Sequence, residues 1–188
     1  MYDLHTHTLH SDGELLPIEL VRRAAVLGYT VIGITDHVDA SNISPVIEAA
    51  SAVREEAAGY GVHLLCGVEI THVPPAHIAG LARRARREGA ELVIVHGETP
   101  VEPVAPGTNL AACTCRDVDV LAHPGFITPE EAAEAAACGV ALEITSRGGH
   151  NRTNGHVLAV ARGAGCTMVV NSDAHSPVSY THLRAHET

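Results

Sequence analysis

The sequence predicts a parallel α/β architecture that folds as one domain. Short runs rich in β-branched and other apolar residues alternate along the chain with Ala-rich helical segments, which is typical of α/β proteins. Several runs are apolar without interruption, as in Leu92–Val95, and strands covered on both faces of a parallel sheet have this pattern. A length of 188 residues with 46% hydrophobic residues is enough for a sizeable core.

Seven segments are predicted as strands from their apolar and β-branched content. In chain order they are Tyr2–His5, Thr30–Thr35, Val62–Glu69, Leu92–His96, Val118–His123, Ala141–Thr145 and Thr167–Ser172. A closed or partly closed barrel and an open doubly wound sheet both fit this alternation. The dinucleotide-binding form of the open sheet is disfavoured, because no Gly-x-Gly-x-x-Gly follows the first strand.

The segments between the strands are predicted as helices, since Pro near the start and Gly just past the end recur. In chain order the helices are Pro17–Leu27, Pro45–Tyr60, Pro75–Glu88, Asn109–Cys115, Pro129–Ala137 and Val157–Ala164. One long irregular segment, Gly97–Thr108, contains three Pro and two Gly. A loop of that length and composition is often functional.

Composition excludes several classes of protein. No apolar run reaches the roughly 18 residues of a membrane-spanning helix, and the first residues lack the features of a secretory signal, so no membrane partner is expected. Five Cys in such a chain predict reduced thiols and a cytoplasmic location. A net charge of −10, with every basic residue an Arg, disfavours long nucleic acid as a partner.

The last segment, Val178–Thr188, departs from the pattern of the rest. It has no apolar periodicity, and it reads like the translation of a transposon adapter used in DNA library preparation. We therefore expect residues 1–177 to form the domain and residues 178–188 to be a non-native, adapter-derived tail. On this interpretation a C-terminal helix is missing, and His182 and His186 have no role.

Metal-ligating residue types stand at the carboxyl ends of nearly all the predicted strands. They are His5, His7, Asp36, His37, Glu69, His96, His123, Asp173 and His175, with Asp12 in the loop after the first strand. In a parallel α/β barrel these strand ends meet on one face. A single His at a strand end is commonly a capping or surface residue, but the joint pattern predicts one cluster.

A cluster of several carboxylates and imidazoles is stabilised best by divalent cations, because the acids would otherwise repel one another. Imidazole and carboxylate ligands suit Zn, Mn or Fe. The set is larger than one tetrahedral ion needs, so the residues predict two to three ions. Paired ions are typical of phosphatases and nucleases.

Six short motifs occur in a characteristic order. They read Asp-Leu-His-Thr-His-Thr with Ser-Asp-Gly, then Ile-Thr-Asp-His, Gly-Val-Glu, Val-His-Gly, Ala-His-Pro and Asn-Ser-Asp-Ala-His. This series resembles the PHP (polymerase and histidinol phosphatase) family over essentially all of residues 1–177, and most of all its stand-alone, histidinol-phosphatase-like members. The resemblance implies a distorted (β/α)7, TIM-like barrel with a trinuclear metal site.

The resemblance also implies how nine residues divide among the ions. The groups are His5, His7, Glu69 and Asp173; Glu69, His96 and His123; and Asp12, His37 and His175. Glu69 would bridge the first two ions. Asp3 and Asp36 match the motifs without being expected ligands, and we predict that they orient imidazoles.

The predicted reaction is hydrolysis of a phosphate monoester on a small phosphorylated substrate by a metal-activated water, as in histidinol phosphatases. Arg147 would contact the phosphate, although a surface Arg is an equal alternative. His150 would protonate the leaving oxygen, although it is equally consistent with an ordinary loop His. Glu98, Asn109 and Asn154 are candidates for contacts with the leaving group.

Two other functions stay open. The first alternative is a nucleotide phosphoesterase or short-oligonucleotide exonuclease of the same family. The second is a non-catalytic module that metals stabilise, which the complete set of ligand matches disfavours. The sequence predicts neither the metal nor the oligomeric state.

Overall fold

The computed structural model describes residues 1–177. The predicted non-native tail, residues 178–188, lies outside the described residues. The strands are β1 (Tyr2–Asp3), β2 (Val31–Ile34), β3 (His37–Val38), β4 (His63–Ile70), β5 (Leu92–His96), β6 (Val120–Ala122), β7 (Ala141–Thr145) and β8 (Met168–Asn171). The helices are α1 (Pro17–Val26), α2 (Ile43–Ala52), α3 (Arg54–Gly59), α4 (Pro75–Arg87), α5 (Thr108–Cys113), α6 (Pro129–Cys138) and α7 (Asn154–Ala164), with a 3-10 helix at His150–Thr153.

The strands form a parallel sheet that curls into a nearly closed barrel. Their order is β1-β2-β4-β5-β6-β7-β8, and β3 pairs with the second half of β4. The two ends of the sheet meet where Thr6, after β1, bridges Ala174, after β8. There the Leu4 amide also donates a hydrogen bond to Asn171 Oδ1 at 3.0 Å. The predicted α/β barrel is confirmed, and the open-sheet alternative is not the architecture.

The second predicted strand is interrupted, which raises the number of strands in the described part to eight. Between β2 and β3 the Thr35 amide donates to the Thr6 carbonyl at 2.9 Å, outside the regular ladder. Because β2 and β3 run along the same neighbour, β4, the barrel still has seven positions around its circumference.

Three of the predicted helices start at the Pro that predicted them. Pro17, Pro75 and Pro129 occupy the first positions of α1, α4 and α6, where a missing amide hydrogen costs nothing. The predicted helix Pro45–Tyr60 is instead two helices, α2 and α3, that divide at Val53. No helix among residues 1–177 combines the length and apolar content of a membrane span.

The apolar run of β5 shows how the core positions the site. Val93 and Val95 pack among the helices, whereas Leu92 and Ile94 lie in a small cluster inside the barrel with residues of β6 and β7. Alternate residues of a strand face opposite sides. His96, two residues beyond Ile94, therefore falls on the inner side at the carboxyl end of its strand.

Candidate metal centre

All nine predicted ligands lie at the carboxyl ends of the strands, at one end of the barrel. Six of them have buried side chains, whereas His175 and His37 are partly exposed, with 11% and 25%, and Asp12 is the most exposed, with 56%. We call the group His5, His7, Glu69 and Asp173 the floor, and the group Asp12, His37 and His175 the rim. His96 and His123 lie beside the floor.

The two imidazoles of the floor both lie near the same two carboxylate oxygens. His5 Nε2 lies 3.4 Å from Glu69 Oε2 and 3.8 Å from Asp173 Oδ1. His7 Nε2 lies 3.5 Å and 3.3 Å from the same two oxygens. These separations are long for hydrogen bonds. Ligands held at about 2.1 Å by a tetrahedral zinc ion lie roughly 3.4 Å apart, so the spacing suits a cation.

Glu69 also faces the second group through its other oxygen. Glu69 Oε1 lies 3.7 Å from His123 Nε2, and ligand atoms of Glu69, His96 and His123 all lie within 4.8 Å of one another. His96 Nδ1 lies 3.2 Å from the carbonyl of Gly97, which leaves Nε2 for the centre. The Glu69 carboxylate thus faces the floor with one oxygen and His123 with the other.

The imidazoles of the rim lie close to one oxygen of the Asp12 carboxylate. Asp12 Oδ1 lies 3.4 Å from His37 Nε2 and 3.2 Å from His175 Nε2. His7 Nδ1 lies 4.0 Å from the same oxygen, so the His7 ring stands between the floor and the rim. His37 Nδ1 is 2.7 Å from Thr71 Oγ1.

Unpartnered polar atoms test whether a cation fits the floor. His5 Nε2, both nitrogens of His7 and both oxygens of Glu69 are buried without a hydrogen-bond partner among the described residues. Even the 2.8 Å approach of His37 Nδ1 to Glu69 Oε2 lacks hydrogen-bond geometry. Such atoms are rare and costly in folded proteins. Their concentration here, with oxygen and imidazole donors, fits divalent ions.

The charges of these groups also depend on their surroundings. Burial lowers the pKa of His7 to about 4. Burial opposes a charge on His37 too, but the Glu69 and Asp12 carboxylates raise its pKa to about 10. Burial alone would raise the pKa of Glu69, yet His5 and His37 hold that pKa well below its usual range. A carboxylate kept ionised among imidazoles is a ready ligand for a cation.

Asp3 and Asp36 contact backbone and hydroxyl groups, not the imidazoles that we predicted. Asp3 Oδ1 accepts from the amides of Ser172 at 3.1 Å and His5 at 3.3 Å, and burial raises the pKa of Asp3 to about 6. Asp36 accepts from the Thr8 amide and hydroxyl at 2.7 and 2.6 Å. Short acidic side chains at these positions reach the neighbouring loops, so they hold the segments that carry the ligands.

The carboxylate that contacts an imidazole is Glu143, which sequence reasoning missed. Glu143 is fully buried on β7, and its Oε1 lies 2.8 Å from His5 Nδ1 and accepts from Asn171 Nδ2 at 2.8 Å. Its Oε2 accepts from the His123 amide at 3.1 Å. Its signal was an acid in the middle of a strand that otherwise reads as buried, Ala141–Thr145.

A cavity of about 370 Å³ opens above these groups. Of the residues predicted to meet the substrate, Arg147 and His150 line it. Arg147 has no ion pair within residues 1–177, and it is the cavity's one Arg among the described residues. His72 and Glu102 line the cavity too, and sequence reasoning did not select them.

Glu98, Asn109 and Asn154 are not among the cavity residues, because local hydrogen bonds hold them. Glu98 Oε1 accepts from the amides of Gly107 and Asn109, each at 2.9 Å. Asn109 Nδ2 donates to the Pro124 carbonyl at 2.9 Å. Asn154 Nδ2 donates to the carbonyl of Thr145 at 2.8 Å.

Comparison with known proteins agrees with this geometry. A model of the PHP domain matches residues 3–104, which is more than half of the chain. The chain belongs to the PHP domain family. It is therefore a metal-dependent phosphoesterase, a hydrolase of phosphoester bonds, and the family implies divalent metal ions for its ligand-rich centre.

Several relatives share sequence with this PHP protein. An uncharacterised protein of Methanocaldococcus jannaschii is 50% identical over 178 residues, which covers 94% of this chain and 82% of that protein. The 5'-3' exoribonuclease Rnm of Escherichia coli is 40% identical over 84 residues, 43% of this chain and 27% of the enzyme. A 3',5'-nucleoside bisphosphate phosphatase of Chromobacterium violaceum is 35% identical over 107 residues, 48% of this chain and 37% of the enzyme.

Solved structures share the fold. A predicted histidinol phosphatase of Listeria monocytogenes superposes with a TM-score of 0.71 at 11% identity and covers 100% of both chains. A two-domain protein of Bacteroides vulgatus, with a predicted PHP-like metal-dependent phosphoesterase, superposes with a TM-score of 0.62 at 20% identity, over 95% of this chain and 53% of that one.

Proposed function

We propose that this PHP protein hydrolyses a phosphate monoester on a small phosphorylated substrate, with two to three divalent ions held by the nine ligands. The observation that carries the proposal is Glu69, whose two oxygens face two adjacent groups of imidazoles beneath a cavity that is also lined by Arg147, which has no ion pair among residues 1–177. Zn, Mn and Fe all suit this donor set.

The proposed division of ligands follows the three groups. The floor would hold one ion, Glu69 with His96 and His123 a second, and the rim a third. Such ions, when bound, lower the pKa of water and stabilise charge on phosphoryl oxygens. Asp173 Oδ2 also lies 3.7 Å from His123 Nε2, so this carboxylate would help to keep the first two groups together.

Two residues of the chain would act on the substrate directly: Arg147 would bind the phosphate, and His150 would protonate the leaving oxygen. The Arg147 guanidinium can contact two phosphate oxygens at once, and no carboxylate among residues 1–177 pairs with it. His150 is buried beside His123, with ring centroids 4.3 Å apart. Burial lowers the pKa of His150, so the neutral ring is favoured, and a proton that the ring does carry is given more readily to a leaving oxygen.

The substrate's size and charge are limited by the cavity and by the chain. A volume of about 370 Å³ suits a small organic phosphate such as histidinol phosphate. The net charge of −10 disfavours a long polyanion, whose binding depends on many cationic contacts. The predicted location of the protein is the cytoplasm.

A nucleotide substrate is the second candidate, and the named relatives favour it. One is an exoribonuclease and another a 3',5'-nucleoside bisphosphate phosphatase. By analogy, a nucleoside bisphosphate or the end of a short oligonucleotide would present its phosphate to the same centre. A non-catalytic module stays a third possibility, which the complete ligand set disfavours.

Phosphate release tests the proposal. The Mn- or Zn-loaded protein and a chelated control are assayed with histidinol phosphate, an aryl phosphate, nucleoside mono- and bisphosphates and a short oligonucleotide. We expect metal-dependent release that is strongest for one small substrate. Arg147→Ala should raise KM or lower kcat, while Arg152→Ala, an exposed Arg outside the cavity, should change neither. No release from any substrate by the loaded protein would refute the proposal.

A further inference from the structure

Glu102 extends from the loop between β5 and α5 back to the metal centre. Its Oε2 lies 3.2 Å from His96 Nε2 and 3.2 Å from His72 Nε2. Its Oε1 lies 3.2 Å from His150 Nε2. The three imidazoles follow or end three different strands, β4, β5 and β7, so the carboxylate lies where separate parts of the barrel meet.

His96 Nε2 belongs to two sets of ligand atoms. On one side it lies with Glu69 and His123, and on the other with His72 and Glu102, each set within 4.8 Å. His96 Nδ1 faces the backbone of Gly97, so one and the same nitrogen serves both sets. An ion on His96 Nε2 would therefore be close to Glu102 Oε2 as well.

The loop that carries Glu102 is anchored at both ends. Glu98 accepts from Gly107 and Asn109, as described above, and Asn109 Oδ1 accepts in return from the Glu98 amide at 2.9 Å. At Gly125, with φ of +59°, a Cβ atom would lie 2.0 Å from the Glu98 carbonyl, so only Gly allows the loop to approach this closely. The two ends of the loop that carries Glu102 are thus fixed by the fold.

The contact between His150 and Glu102 independently supports a role for Glu102 at the metal centre. His150 is 6% exposed, and its Nδ1 is buried without a hydrogen-bond partner within residues 1–177. The buried ring therefore borders the Glu102 carboxylate and limits where that carboxylate can lie. Metal-ligating carboxylates are commonly held in this way by neighbouring donors.

We propose that Glu102 is a further ligand of the ion held by Glu69, His96 and His123, and that His72 and His150 hold its carboxylate in place. The inference rests on the metal binding in the proposed function. Glu102 would add a fourth protein ligand where the motif residues supply three. Sites with three protein ligands keep a position open, and a fourth closes it, so Glu102 would help to retain this ion.

Metal affinity tests the assignment directly. The loaded wild-type chain, Glu102→Gln and Glu102→Asp are titrated with chelators of graded affinity, and released Zn or Mn is measured. We expect Glu102→Gln to weaken one ion by about tenfold or more, since even supporting residues of metal sites are worth roughly 10–100-fold. Glu102→Asp should recover part of the loss. Glu134→Gln, an exposed acid on α6, is the matched control and should behave as wild type.

Cobalt substitution supplies a second readout. The visible absorption of the Co²⁺-loaded protein depends on the number and type of ligands, so Glu102→Gln should change the spectrum and Glu134→Gln should not. If Glu102→Gln keeps wild-type affinity and spectrum, including the case in which only KM changes, Glu102 is not a ligand. A wild-type chain that binds no divalent ion would instead remove the proposed function together with this inference.

Discussion

The floor of the centre and its rim offer ligands of the same types in different settings. His5 and Glu69 on the floor have no exposed side-chain surface, and Asp173 has 4%. On the rim, Asp12 has 56% of its side chain exposed and His37 has 25%. The floor is supported from below by Glu143, whereas His37 relies on the hydroxyl of Thr71.

This difference predicts different behaviour of the ions. A buried ion is screened little by water, and its ligands are already held in place by the strands. At the rim, water would compete with the exposed Asp12 carboxylate as a ligand of the ion. We therefore expect the floor to retain its ion during dialysis and the rim to exchange its ion.

Glu69→Gln should have the largest effect, because both of its oxygens face imidazole groups. We expect two of the proposed ions to be lost together. The metal-free chain should also lose about 3–5 kcal/mol of its free energy of unfolding, the usual cost of leaving a buried charge unpaired. Elemental analysis and thermal unfolding measure the two effects, with Glu134→Gln as the control. Retention of both ions would contradict the bridging role of Glu69.

Glu143→Gln should weaken the floor alone. The amide can no longer hold the His5 ring as a carboxylate does, and loss of such a supporting residue costs roughly 10–100-fold in metal affinity. Chelator competition should show one ion weakened by this factor, while the ion on the rim keeps its affinity. An equal loss at both places would mean that Glu143 supports the fold in general and not His5.

Asp12→Asn should release the ion on the rim and leave the floor loaded. Because Asp12 is more than half exposed, the free energy of unfolding of the metal-free chain should change by less than about 1 kcal/mol. Elemental analysis after dialysis measures the ions, and urea unfolding measures the stability. Loss of all ions would show that the rim and the floor bind as one unit.

The pH dependence of metal binding should be the most gradual effect. In the metal-free chain the pKa of His37 is raised to about 10, so its ring is protonated at pH 7 and must lose that proton to become a ligand. Binding at the rim should then release a proton, and its affinity should rise with pH by about tenfold per unit between pH 6 and 8. His7, whose pKa is lowered to about 4, is neutral there and should release none. Calorimetry in buffers of different ionisation enthalpy measures the proton; an affinity at the rim that does not change with pH would contradict the prediction.

The parallel α/β class and the set of candidate ligands could be foreseen from local signals, whereas the barrel was implied by the resemblance to the PHP family. Strands alternate with helices, and a His or acid at the end of an inward-facing series reaches one common face. The exact hydrogen-bond partners could not be foreseen. Asp3 and Asp36 match the motifs, but their short side chains reach loop amides and hydroxyls instead of imidazoles.

The long loop, Gly97–Thr108, also differs in what could be predicted from sequence and what could not. Its length and its Pro and Gly content predicted a functional segment, yet Glu98 in it and Asn109 just after it, both predicted to meet the substrate, hold the loop together. Glu102, which was not chosen, meets the centre. Nothing in the local sequence distinguishes the two glutamates, because the difference arises from contacts with strands that are distant along the chain.

The sequence by itself determined the fold class, the order of the motifs and the types of ligand atom, because periodicity and residue chemistry are local properties. Only the tertiary structure decided that Glu143 lies behind His5 and that Glu102 lies over His96. Each of these pairs joins different strands or loops, and their distances depend on how the barrel closes between β8 and β1 and on how the loop folds back over the strand ends.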